Sequence, residues 1–133
     1  MNPPSRQGIL STPEEWMKHA ESDLALAHLA RDNVTVLPQQ VCFHAQQAAE
    51  KALKALLLFH KIDFPLTHDI EELIEIIEGS GIAIPADIEE AGMLTPYAVE
   101  TRYPGYWGMI SKADLLEAMD LSKRVIDWVK AQL

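Results

Sequence analysis

Apolar residues recur along most of this chain at three- and four-residue spacing, the period of helices buried along one side. Thr12-Pro13-Glu14-Glu15 opens the first such stretch with a helix-start signature, Thr12 as N-cap, Pro13 at the first helical position and Glu15 completing a capping box. Trp16, Ala20, Leu24 and Ala27 follow at spacings of 4, 4 and 3, with Met17 and Leu26 beside them, which predicts an amphipathic helix running to about Asp32. His19 and His28 fall on its flanks as surface residues. Residues 1–11, with two prolines, a glycine and only Ile9 and Leu10 to anchor them, read as a mobile tail.

A short loop, Asn33 to Leu37, leads to the run that organises the chain, Val41 to Lys61, which is rich in Ala and Leu and free of Gly and Pro. Started at Pro38 and carried to Ile62, it would span roughly 36 Å, enough to cross a small domain. On a helical projection Ala45, Ala48, Ala49, Ala52, Leu53, Ala55, Leu56 and Phe59 form one broad apolar sector. His44, Gln47, Lys51 and Lys54 form a narrow polar stripe, with Phe43, Leu57 and Leu58 interleaved. Such a helix is central, and its stripe faces solvent or lines a cleft or an interface.

Asp63-Phe64-Pro65-Leu66 breaks the pattern and Thr67-His68-Asp69 restarts it, with Thr67 as the expected N-cap and Asp69, Glu71 and Glu72 in the first turn. Ile70, Leu73, Ile74 and Ile77 make a one-sided stripe that Gly79-Ser80-Gly81 ends. Pro85 opens a fourth element with Ile88, Ala91, Leu94 and Ala98 inward; Gly92 and Pro96 predict a break near Thr95. A turn-rich aromatic loop follows, Thr101-Arg102-Tyr103-Pro104-Gly105-Tyr106-Trp107-Gly108. Ser111 then caps a last helix whose shared face is Leu115, Met119, Ser122, Ile126, Val129 and Leu133, widened by Leu121, Val125 and Trp128. Five helical segments, no strand and short connections predict an all-α fold, an antiparallel up-and-down bundle of four to five helices, in one domain over residues 12–133.

Composition narrows the function. A 133-residue chain that is 48% hydrophobic suits one domain with a sizeable core. Twenty acidic against 11 basic residues, a formal net charge of −9, disfavour binding nucleic acid by broad phosphate neutralisation. Cys42 is the lone cysteine, so neither an internal disulfide nor a multi-cysteine zinc site can form, which fits a reducing cytoplasm. There is no apolar signal-peptide core and no apolar run of membrane-spanning length, so a cytoplasmic protein is expected.

The chain lacks a GxSxG elbow, a P-loop, an HExxH helix and an EF-hand loop, and its five histidines show no i, i+4 metal-ligand spacing. No metal and no cofactor are expected. Three features remain. His44, Gln47 and Lys51 share the polar stripe, where a partly buried lysine needs a partner or a ligand anion; a carboxylate such as Glu50 would be the structural alternative. His68 sits beside Asp69 at a helix start. Arg102 lies in an aromatic loop that a bundle does not need, where a guanidinium either clamps a carboxylate or phosphate, meets a partner chain, or stacks on Tyr103, Tyr106 or Trp107.

The run Val41-Cys42-Phe43-His44-Ala45-Gln46-Gln47-Ala48-Ala49-Glu50-Lys51-Ala52-Leu53-Lys54-Ala55-Leu56-Leu57, then Leu66-Thr67-His68-Asp69-Ile70 and Thr101-Arg102-Tyr103-Pro104, resembles the HEPN family, the higher eukaryotes and prokaryotes nucleotide-binding domain. Order and spacing match from Trp16 and Asp23-Leu24 to the last helix. The resemblance implies a four- to five-helix bundle, commonly a homodimer, often encoded with a minimal nucleotidyltransferase partner in toxin–antitoxin or defence systems. It associates His44, Gln47, Glu50, Lys51, His68, Arg102 and Tyr103 with binding of a nucleotide or of that partner.

Many HEPN ribonucleases carry Arg-x4-6-His. Here every histidine precedes Arg102, and Arg6, Arg31 and Arg124 have no histidine five to seven positions on. The expectation is therefore a non-catalytic HEPN module that binds a nucleotide or a nucleotidyltransferase. The alternative is a ribonuclease toxin in which Arg102 works with a histidine from elsewhere in the fold, such as His44 or His68, as the acid–base group.

Overall fold

The computed structural model describes residues 12–99 and 110–133. Its elements are α1 (Pro13–Ala30), α2 (Pro38–Phe59), α3 (Ile70–Gly79), a broken fourth segment and α6 (Lys112–Gln132). The fourth segment consists of α4 (Ala86–Glu89), a 3₁₀ turn (Glu90–Leu94) and α5 (Pro96–Val99). No strand occurs among the described residues, and the predicted helical bundle is the fold observed.

Local chemistry sets the helix ends. The Thr12 hydroxyl accepts from the Glu15 amide at 3.1 Å, and Ser111 and Asp114 form a reciprocal capping box. Asp69, not Thr67, caps α3: its carboxylate accepts from the amides of Glu71 and Glu72 at 3.0 and 3.4 Å. Thr67 acts one step earlier, where its hydroxyl accepts from the Asp69 amide and donates to Glu72, so the anionic acceptor takes the helix dipole.

At their C-termini α2 and α3 use the same device. The amides of Ile62 and Ile82 reach back to the carbonyls of Leu57 and Ile77, while those of Lys61 and Gly81 reach Leu58 and Glu78. This Schellman arrangement needs a left-handed residue at the turn. Gly81 supplies it at φ +92°, whereas α2 forces it on Lys61 at φ +58°.

The core is organised around α2, which packs against α1, α6 and, over a smaller area, α3. Ala45, Ala48, Ala49, Ala52 and Ala55 are all fully buried, so neighbouring helices approach α2 across methyl groups while Leu53, Leu56 and Leu57 fill the larger gaps. Three positions assigned to apolar faces are exposed: Leu26, Phe59 and Leu133. Phe59 and Leu133 lie at helix ends, and Leu26 has turned onto the open flank of α1.

The fourth segment buries Ile88, Ala91, Leu94 and Ala98 despite its break at Thr95. There the Thr95 hydroxyl accepts from the Ile70 amide at 3.0 Å, tying the break to the start of α3. At the same junction a Cβ on Gly92 would come within 2.5 Å of Glu71 Cγ, so a larger residue there would have to displace the Glu71 side chain. From α5, the Tyr97 hydroxyl meets the Cys42 thiol of α2. Burial pushes Cys42 up to about 11, outweighing the Tyr97 hydrogen bond that lowers it, and pushes Tyr97 up to about 12, where the charges of Cys42, Asp114 and Glu117 add to the rise. No helix of the described residues is long and apolar enough to cross a membrane.

Two outcomes follow. Replacing Lys61 with Gly relieves the left-handed strain and should raise stability in chemical denaturation by about 0.5–1 kcal/mol, while Gly81→Ala should lower it by about 1 kcal/mol. Both the Cys42 and Tyr97 protons are held more tightly in the folded chain. Their contribution is therefore complete below pH 9 and falls as pH rises through about 11 for Cys42 and about 12 for Tyr97. Denaturant midpoints across that window should decline more steeply than in Cys42→Ala.

Candidate functional site

The polar residues of α2 do not form one stripe. They divide into two networks, each anchored by a carboxylate, one toward α1 and the other toward the α2–α3 connection. On the first flank Asp23, from the middle of α1, receives His44 Nδ1 at 3.1 Å and Lys51 Nζ at 2.7 Å, one on each carboxylate oxygen. His44 and Lys51 are two helical turns apart, so a single carboxylate in the α1–α2 seam spans both. Lys51 thus has its carboxylate, but it is Asp23 and not Glu50.

Glu50 belongs to the second network, which is buried. Its Oε2 accepts from Lys54 Nζ at 2.9 Å, and its Oε1 accepts from Gln46 Nε2 at 3.0 Å and lies 2.9 Å from His68 Nδ1. Lys54 retains only 1% of its surface and Glu50 3%, so Lys54 leaves the exposed stripe in which its spacing had put it. The same donors fasten the α2–α3 connection: Lys54 Nζ also donates to the Thr67 carbonyl at 2.9 Å, and Gln46 Nε2 to the His68 carbonyl at 3.2 Å. Gln47 completes the set by donating to Gln46 Oε1 at 2.8 Å. The rings of Trp16 and Phe64, packed edge to face, have their centroids 5.8 and 5.9 Å from Lys54 Nζ and border the network on its apolar side.

The chemistry of the second network points outward through one group. Glu50 receives donors on both oxygens and acts only as an acceptor, so His68 must donate from Nδ1. Neutral His68 then carries its proton on Nδ1 and has Nε2 as the ring's acceptor, with 48% of its side chain exposed. His44 is held in the same sense by Asp23.

Beside His44 an apolar groove of about 150 Å³ opens between α1 and α2, lined by Leu26, Ala27, Ala30, Val36, Gln40, Val41 and His44. The structure therefore places Glu50 with His68, and His44 with Lys51, and joins Gln47 to the Glu50 network. Arg102 and Tyr103 lie outside the described residues. No group of three or more His, Cys, Asp or Glu among the described residues could hold a metal ion.

Two members of these networks, Gln46 and Asp23, are not among the residues that the sequence singles out. Gln46, Glu50 and Lys54 recur at i, i+4 and i+8, so the row is legible in the sequence as a spacing, though its burial is not. Asp23 had no such signal, because its partners lie on another helix.

A family model described as "HEPN domain" matches residues 13–132. The crystal structure of ST0689, an archaeal HEPN homologue, is similar at 31% identity and a TM-score of 0.73, covering 91% of this chain and 97% of that one. The crystal structure of TT1696 from Thermus thermophilus is similar at 28% identity and a TM-score of 0.79, covering 91% of this chain and 98% of that one. No curated protein matches the chain.

Removing one partner of the buried pair strands the other charge, so Glu50→Ala should cost about 3–5 kcal/mol in chemical denaturation. The double variant Glu50→Leu/Lys54→Met removes both charges and should recover most of that loss. In the native protein, ¹⁵N shifts of neutral His68 should report a proton on Nδ1, and the double variant should abolish that preference.

Proposed function

Because the chain belongs to the HEPN domain family, matched over residues 13–132, we propose that it works as a non-catalytic HEPN module whose polar α2 face binds a nucleotide or a minimal nucleotidyltransferase partner. In this reading it acts as a homodimer within a toxin–antitoxin or defence pair. The observation that carries the reading is the buried Gln46–Glu50–Lys54 network ending on an exposed histidine. A bundle of this size can close its core with apolar residues, and a buried ion pair is not an efficient way to stabilise one. Holding His68 in one tautomer at the surface gives such a network a use that packing does not.

Further support comes from the second fixed histidine, His44, with a mostly apolar groove beside it of a size that suits a planar ring. The acidic balance of the chain means that an anionic ligand is held by a local cluster. In the proposed site Arg102, which precedes α6 in the sequence, supplies the guanidinium for phosphate, His68 and His44 supply directed ring nitrogens, and Lys51 lends positive charge.

Calorimetric titration with ATP and the other nucleoside triphosphates should give saturable binding. Arg102→Ala should weaken it at least about tenfold, or about 1.4 kcal/mol, without changing the thermal melting profile; His68→Ala should weaken it as much and also lower the melting temperature, because Glu50 loses a donor. Titrations with no saturable signal would remove the nucleotide half of the proposal. RNA incubated with the protein should stay intact; cleavage lost in His44→Ala or Arg102→Ala would put the ribonuclease alternative in its place.

A further inference from the structure

Ala27 and Ala30 of α1 line the same groove as Val41 of α2, with Val36 of the connecting turn beside them. Two methyl groups in place of larger side chains leave room there for the apolar groove of about 150 Å³. Ala27 and Val41 are buried and floor it, while Leu26 and Gln40 stand exposed at its rim. Its two polar side chains, Gln40 and His44, both come from α2, one helical turn apart and so on the same side of the helix. A flat apolar ring with its polar atoms along one edge fits such a lining.

His44 fixes what that edge must carry. One oxygen of Asp23 accepts from Lys51 at 2.7 Å and the other from His44 Nδ1 at 3.1 Å, so neutral His44 keeps its proton on Nδ1. The ring nitrogen it has left for the groove is Nε2, an acceptor. A ligand must therefore donate to it, and Gln40, whose exposed amide can turn to give its oxygen or its nitrogen, takes up the neighbouring polar atom. An amino group beside a ring nitrogen, the edge of adenine, supplies both partners. Guanine sets a carbonyl where adenine carries that amino group, acceptor against acceptor. Turned to present its ring N–H instead, guanine brings in both a carbonyl and a second amino group, one more than Gln40 can partner among alanine and valine. Cytosine has the amino edge but, as a single ring, covers less of the apolar floor, and uracil combines the smaller ring with two carbonyls.

We infer that the α1–α2 groove seats the base of the bound nucleotide and selects adenine, with His44 Nε2 accepting from the 6-amino group and the Gln40 amide donating to the ring nitrogen beside it. The selection rests on the nucleotide-binding reading and adds to it which base is bound and where. Nucleoside triphosphates that bind saturably and with equal affinity would overturn the selection alone. Adenosine seated in the groove, with triphosphate binding indifferent to Arg102→Ala, would support the selection and remove only the phosphate contact.

Adenosine has no phosphate for Arg102 to hold and so isolates the groove. In ¹H–¹⁵N spectra of the full chain its addition should shift the amides of Ala27, Val41 and His44 saturably. Inosine, which replaces the amino group with a carbonyl, and 6-dimethylaminopurine riboside, which lacks the amino hydrogens, should each bind at least about tenfold more weakly. Gln40→Ala, a change at an exposed position, should weaken adenosine about fivefold, and Ala30→Leu, which fills the groove, should abolish its binding with helical content by circular dichroism unchanged. By calorimetry ATP should bind at least about tenfold more tightly than GTP, CTP or UTP. Inosine that binds as tightly as adenosine, or adenosine that shifts amides only outside the groove, would overturn the inference. Absence of binding by adenosine and by every triphosphate would overturn it together with the nucleotide reading.

Discussion

The ion pair between Glu50 and Lys54 is the constraint on which the rest of the structure turns. Both charges sit inside the bundle, one helical turn apart on α2, where each would cost several kcal/mol if left alone. Their mutual attraction offsets only part of that cost. The remainder is offset by further hydrogen bonds, from Gln46 and His68 to Glu50 and from Lys54 to the Thr67 carbonyl. Satisfying the pair therefore dictates where the α2–α3 connection runs, and the backbone of Thr67 and His68 becomes part of the core.

That requirement explains why this short connection carries ordered chemistry. His68 is exposed, yet its ring nitrogen and its own carbonyl are both claimed by α2 side chains. From there the constraint propagates into α3, since Thr67 also fixes the amide of Asp69, and Asp69 caps the helix. The first amide of α3, that of Ile70, is taken up by Thr95 from the broken fourth segment. A buried charge pair on the central helix is thus linked by consecutive hydrogen-bonding residues to an element much later in the chain.

The α1-facing side of α2 is governed by different physics. Asp23, His44 and Lys51 form a partly exposed network across the α1–α2 seam, where solvent moderates each interaction. Losing one member of it strands no fully buried charge, and its ring and ammonium groups remain partly accessible. In the apolar turn face that adjoins it, Leu29 and Val34 stand open among the described residues. The molecule accordingly has one polar network that holds the fold and another that borders surface left open for contact.

The α-helical class, the order of the segments, the capping by Thr12 and Ser111 and the break at Thr95 were legible in the sequence, because each depends on residues within a few positions of one another. The family was legible for a related reason: the α2 run and the Leu-Thr-His-Asp segment keep their order and spacing along the chain. Even the Gln46–Glu50–Lys54 row was visible as a four-residue spacing, though not as a buried network. Only the tertiary structure decided that Lys54 is inside, that Lys51 pairs with Asp23, that Asp69 rather than Thr67 caps α3, and that Leu26 faces out. A helical projection gives the angle at which a side chain leaves its helix. Whether it then meets water, a carboxylate or another helix depends on chain distant in sequence, which local periodicity cannot encode.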